Sequence, residues 1–104
     1  MKVEVSHHVD ASEPDAQGFH EYHYEYDVFA FTDGTTSYMA RAYVDEPGQA
    51  HFLHREEAEQ RHLLTEHDLR HPLFLAAQAY LRTIGKPDLS WLSSNRSNPY
   101  QPLP

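Results

Sequence analysis

The longest regular alternation of apolar and polar residues runs from Glu21 to Asp45. It has two halves, Glu21–Phe31 and Ser37–Val44, joined across Asp33-Gly34. A period of two marks half-buried β-strands, and Asp-Gly between them marks a hairpin. Alternate residues share a side. Tyr22, Tyr24, Tyr26, Val28 and Ala30 therefore share one side of the first strand, and His23, Glu25, Asp27, Phe29 and Phe31 the other. In the second strand Tyr38, Ala40, Ala42 and Val44 oppose Met39, Arg41 and Tyr43. A two-residue Asp-Gly loop would set Asp27 opposite Ala40 and mix these sets. A three-residue loop, Thr32-Asp33-Gly34, sets Tyr26 opposite Ala40, Tyr24 opposite Ala42 and Glu25 opposite Arg41, with Gly34 left-handed. Because a one-residue slip turns a whole apolar set to the other side, the three-residue loop is the expectation. It makes the Tyr/Ala/Val side the core, the alanines leaving room for a helix.

Elsewhere the pattern is shorter. Met1–Asp10 reads as a strand with Val3, Val5, His7 and Val9 on one side. Ala11–Gly18 reads as a loop. Glu46-Pro47-Gly48-Gln49 is a turn, and Gln49–His54 a fourth strand. Arg55–Leu64 is weakly patterned, either a short helix or a turn-rich connection. Leu69, Leu73, Ala76, Ala77, Tyr80, Leu81 and Ile84 recur at helical spacing, which predicts a helix of about sixteen residues. Pro72 sits in its first turn, Asp68 or a neighbour caps it, and Gly85 ends it. Leu89, Trp91 and Leu92 are placed on the domain edge. The expected fold is thus α+β: an antiparallel meander of about four strands under one long C-terminal helix, with a second short helix allowed. Residues 1–92 form the domain and 93–104 an extended or disordered tail.

At 104 residues the chain can build a modest core, and 12% Trp, Tyr and Phe compensates for 39% hydrophobic content. There is no cysteine, so no disulfide and no thiolate chemistry. The absence of a long apolar run or a signal-like start points to the cytoplasm. A net charge of −8 argues against nucleic acid and against anionic membranes, and fits a basic protein partner. Nine protonated histidines would carry that charge from −8 to +1.

Candidate chemistry gathers on the mixed side of the hairpin. His23, Glu25 and Asp27 alternate there within reach of Tyr43, a cluster that can serve acid–base work or, with His54, hold a metal. The pairs His20/His23 and His51/His54 are three apart, a spacing that sends strand side chains to opposite sides. No nucleophile elbow or phosphate loop is present. No catalytic residue, metal ligand or cofactor is therefore assigned. The leading expectation is a protein-interaction module that binds a protein partner or itself as a homodimer. Its surface would be His23, Glu25, Phe29, Phe31, Met39, Arg41 and Tyr43, since aromatic residues, Met and Arg are enriched at interfaces. The alternative is a small enzyme or metal-binding protein using His23, Glu25, Asp27 and His54.

Overall fold

The computed structural model describes residues 1–104. Strands β1 (Lys2–Ala11), β2 (His23–Thr32), β3 (Thr36–Tyr43) and β4 (Gln49–Glu57) pair antiparallel in sequence. A short β5 (Gln60–His62) folds back on the end of β4. After a 3-10 turn (Asp68–Arg70) and the helix α1 (Pro72–Thr83), β6 (Asp88–Leu92) pairs parallel to β4. Strand β7 (Tyr100–Pro102) pairs antiparallel to β6. The spatial order is β1-β2-β3-β4-β6-β7, with β5 beside β4. The fold is α+β, but its sheet has seven strands and is mixed rather than a four-stranded meander. Parallel pairing needs a crossover of a dozen or more residues, which β5, the 3-10 turn and α1 supply. No helix is long and apolar enough to cross a membrane.

The hairpin register differs from the expectation. Phe31 pairs with Tyr38, Phe29 with Ala40 and Asp27 with Ala42. Asp33, Gly34 and Thr35 lie between the strands, one residue further along than the expected Thr32, Asp33 and Gly34, and Thr32 pairs with Ser37. The Asp33 carboxylate holds this turn together by accepting from the backbone N–H groups of Thr36 (2.8 Å) and Thr35 (3.0 Å). Those bonds lower its pKa to about 2. Gly34 is left-handed, with φ +101°.

Inside and outside are therefore exchanged on β2, while β3 keeps the expected Tyr38, Ala40 and Ala42 inside. Phe29 and Phe31 are buried with Tyr38, Ala40 and Ala42, while Tyr24 is 52% exposed and Tyr22 also faces water. Burying Tyr22, Tyr24 and Tyr26 would have required a hydrogen-bond partner for each hydroxyl, whereas phenylalanine carries no such demand. The one tyrosine that enters the core, Tyr38, brings its hydroxyl to Asp68 at 2.9 Å.

Helix α1 lies on the Phe29/Phe31 side. Leu73, Phe74, Ala77, Gln78 and Leu81 face inward. The alanines of β3 and β4 let Phe74 reach Phe52 (4.4 Å between rings) and Tyr38 (5.1 Å). The helix has twelve residues rather than about sixteen, and Ala76 and Ile84 lie outside the stripe, exposed. Pro72 takes its first turn, and His71, not Asp68, caps it by accepting from Leu73 N–H. Gly85, with φ +96°, ends it. Lys86 N–H bonds Leu81 O and Gly85 N–H bonds Arg82 O, closing a Schellman motif.

Two further departures have local causes. Arg55–Leu64 is mostly a hairpin, not a helix: Ala58 and Glu59 both take positive φ (53° and 62°), the twist that a two-residue turn needs. In β4 the register against β3 shifts between Phe52 and His54, so Leu53 is the extra residue of a β-bulge.

Candidate functional site

Helix α1 packs on β2 and β3, and the opposite side of the sheet carries no helix. At the centre of that open side stands Arg41. Its guanidinium carbon lies 4.7 Å above the Tyr26 ring and 6.0 Å from the Tyr43 ring, and Nη1 donates to the Tyr43 hydroxyl at 3.3 Å. Cross-strand pairing of Tyr26 with Tyr43 puts the two rings together. His8 stacks on Tyr26 from β1, and Tyr24 packs 6.1 Å from Tyr43. No carboxylate lies within ion-pair distance of Arg41, and its buried Nε has no hydrogen-bond partner. The result is a preassembled aromatic–cation stack with an unpaired charge at its heart.

The seven residues expected to share one surface are divided. Met39, Arg41 and Tyr43 lie on the open side. Phe29 and Phe31 are in the core beneath α1, so they are closed to any partner. His23 and Glu25 lie on the helix side of β2, beyond the part that the helix covers, in the exposed arm that β1 and β2 form. The second set does not converge either: His23, Glu25 and Asp27 lie on the helix side, His54 on the open side. The spacing argument against His51 and His54 also fails, because the Leu53 bulge adds a residue between them. Both pair with open-side residues, His51 with Arg41 and His54 with Met39. They are not turned to a common ligand: His51 Nδ1 contacts Ser90 Oγ at 2.5 Å, and His54 Nε2 contacts Glu56 at 3.0 Å.

Sequence reasoning missed His7. It pairs with Asp27 across β1 and β2 and is clamped between two carboxylates, Nδ1 to Asp27 at 2.7 Å and Nε2 to Glu25 at 2.9 Å. The Asp27 hydrogen bond first, then that of Glu25 and both charges, raises its pKa above 6.5. The signal was present as Val3, Val5, His7 and Val9 on one side of β1, but it needed the pairing partner to be read. Beyond the clamp is a small open cleft of about 190 Å³ lined by His23, Tyr24, Glu25, Tyr43, Val44 and Asp45. Ligand pockets ordinarily start at roughly 300 Å³.

A second ionic cluster is buried. Asp68, 1% exposed, accepts from the Tyr38 hydroxyl, Arg55 Nη1 (2.7 Å), and the Thr65 N–H and hydroxyl. Burial alone would raise its pKa, but the Thr65 N–H, the Tyr38 hydroxyl and Arg55 outweigh it and the net shift is downward. The Tyr38 hydroxyl is pushed upward, by burial first and then by Asp68. With every oxygen engaged, the cluster fixes the 3-10 turn to the sheet.

No group of three His, Asp or Glu side chains is placed to hold a metal ion. Compared with known proteins, the chain matches no family model, no curated sequence and no solved structure.

Proposed function

We propose that this protein is an interaction module that docks a protein partner on its open sheet side, with Tyr26, Arg41 and Tyr43 at the centre and Tyr24 and Met39 around them. The observation that carries this reading is the Tyr26–Arg41–Tyr43 stack itself. Tyrosine and arginine dominate interface hot spots, and groups already held in place lose little freedom on binding. The net charge of −8 favours a partner whose surface is basic overall, with an acidic or carbonyl group placed to meet Arg41. The acid–base alternative loses ground at His7. Both of its ring nitrogens face carboxylates, so neither is free to take a substrate proton.

The test is a site-specific photo-crosslinker at Met39, with another at Leu75 on the exposed outer side of α1 as control. The reading requires a partner captured from Met39 and not from Leu75. Arg41→Ala or Tyr43→Ala must then weaken its binding by about tenfold or more. Equal affinity of both variants with the native chain overturns it.

A further inference from the structure

The two edges of the sheet are unlike. Strand β7 is three residues long and ends in Pro102, a blunt edge. Strand β1 is ten residues long and pairs with β2 without a break in register. It contains neither proline nor bulge, and its outer side is bare. Helix α1 packs over β2 and β3, so it does not cover that edge. Such an edge is a template for another strand.

The hydrogen-bond phase says which groups it offers. Ser12 N–H donates to Tyr22 O in continuation of the β1–β2 register, and Val44 N–H donates to Glu25 O on the far side of β2. Even-numbered residues of β1 therefore point their backbone groups inward to β2. The N–H and C=O groups of Val3, Val5, His7 and Val9 point outward.

The side chains then select the occupant. We infer that two copies of this chain pair edge to edge through β1, antiparallel about a two-fold axis at Ser6. In that register Val3 meets Val9 of the second copy and Val5 meets His7, both as hydrogen-bonded pairs. Between them Lys2 faces Asp10, Glu4 faces His8, and Ser6 faces itself, at the closer non-hydrogen-bonded sites. The outward phase allows only registers shifted by whole pairs of residues, and the neighbours are worse. Centring on His7 sets Glu4 against Asp10, two acids. Centring on Val5 sets Lys2 against His8 and leaves Asp10 without a partner. The strand is thus its own charge complement in one register, as a two-fold interface requires. The paired side chains Lys2, Glu4, His8 and Asp10 lie at the β1 margin of the open side, two strands from Arg41 and Tyr43 on β3, whose outer face stays free on both copies.

Sedimentation equilibrium of the full chain, from about 1 µM to about 1 mM, is the test. The expected mass rises with concentration from 12.1 kDa towards twice that value. Lys2→Asp and Asp10→Lys each put like charges together, and each is expected to weaken the dimer about tenfold. The double variant exchanges the pair and restores it. Val5→Pro removes an outward N–H at an edge position that tolerates proline, and is expected to give a monomer with an unchanged circular dichroism spectrum. Should Val5→Pro misfold, the charge exchange decides alone. A monomer at every concentration overturns the inference. So does a dimer that survives Val5→Pro, or a double variant no tighter than the singles. The docking test reads Met39, Arg41 and Tyr43 on β3, two strands in from this edge, and uses the native β1, so failure of one reading is distinguishable from failure of the other.

Discussion

Phe29 and Phe31 at one end of β2, and Glu25 and Asp27 at the other, stand on the same side of the same strand. Only the first pair is roofed. The reason is length. Ten strand residues span about 33 Å, and a twelve-residue helix only about 18 Å. The helix end of β2 closes over a hydrocarbon core, and the far end runs on into water as an arm, within a molecule 50 Å long. Each end has its ionic cluster, Asp68 sealed at one and His7 open at the other. The comparison teaches that alternation tells which residues share a side, while the reach of the covering element tells where that side becomes interior.

Substitutions can break the comparison at its strongest point. Phe31→Ala is expected to cost about 4 kcal/mol in urea unfolding, and Tyr24→Ala on the exposed side no more than about 0.5 kcal/mol. Similar values for the two would mean that the sides are assigned wrongly. Asp68→Ala is expected to cost about 3 kcal/mol, since it leaves Arg55, the Tyr38 hydroxyl and Thr65 N–H unmatched. Because the folded pKa of Asp68 lies below its ordinary value of 3.8, the stability it adds is present above pH 4. It is lost as pH falls through the folded value. A melting series from pH 5 to pH 2 should show a smaller loss in the alanine variant than in the native chain, the remainder including the Asp33 carboxylate, whose lowered pKa acts over the same range.

Smaller effects sharpen the picture. Ala58→Asn with Glu59→Gly gives the β4–β5 hairpin residues that accept positive φ, and is expected to stabilise by roughly 1 kcal/mol in the same unfolding assay. At the open cluster, histidine NMR titration should find His7 above 6.5, with Asp27→Asn lowering it more than Glu25→Gln. The sign of its linkage is opposite to that of Asp68. A raised histidine pKa adds stability that is complete below pH 6.5 and disappears as pH rises through the folded value.

Much of the fold was legible where one rule acted alone. The strands of the first hairpin, the Pro47-Gly48 turn, and the helix with Pro72 and Gly85 at its ends all follow from local chemistry. The inward side of β3, Tyr38, Ala40 and Ala42, was legible, but that of β2 was not, because two sets of rings alternate along it with equal regularity. The hydroxyls of Tyr22, Tyr24 and Tyr26, which cost more to bury than the bare rings of Phe29 and Phe31, were the overlooked discriminator. Ala58-Glu59 gave no warning of a hairpin, having neither Asn nor Gly. The two-residue alternation of Leu89 and Trp91 marks β6 but is too short to stand out. Of the candidate surface, Met39, Arg41 and Tyr43 were found by composition. Tyr26 beside them, and His7 on the helix side, came to light only with the strand pairings.

The Asp68 cluster ties together chain segments thirty residues apart. The link from β5 to α1 looks like a loop in outline, yet it cannot lift from the sheet unless that cluster comes apart. Its amides at Asp68, Leu69 and Arg70 are therefore expected to exchange with solvent in step with those of α1, as one cooperative unit.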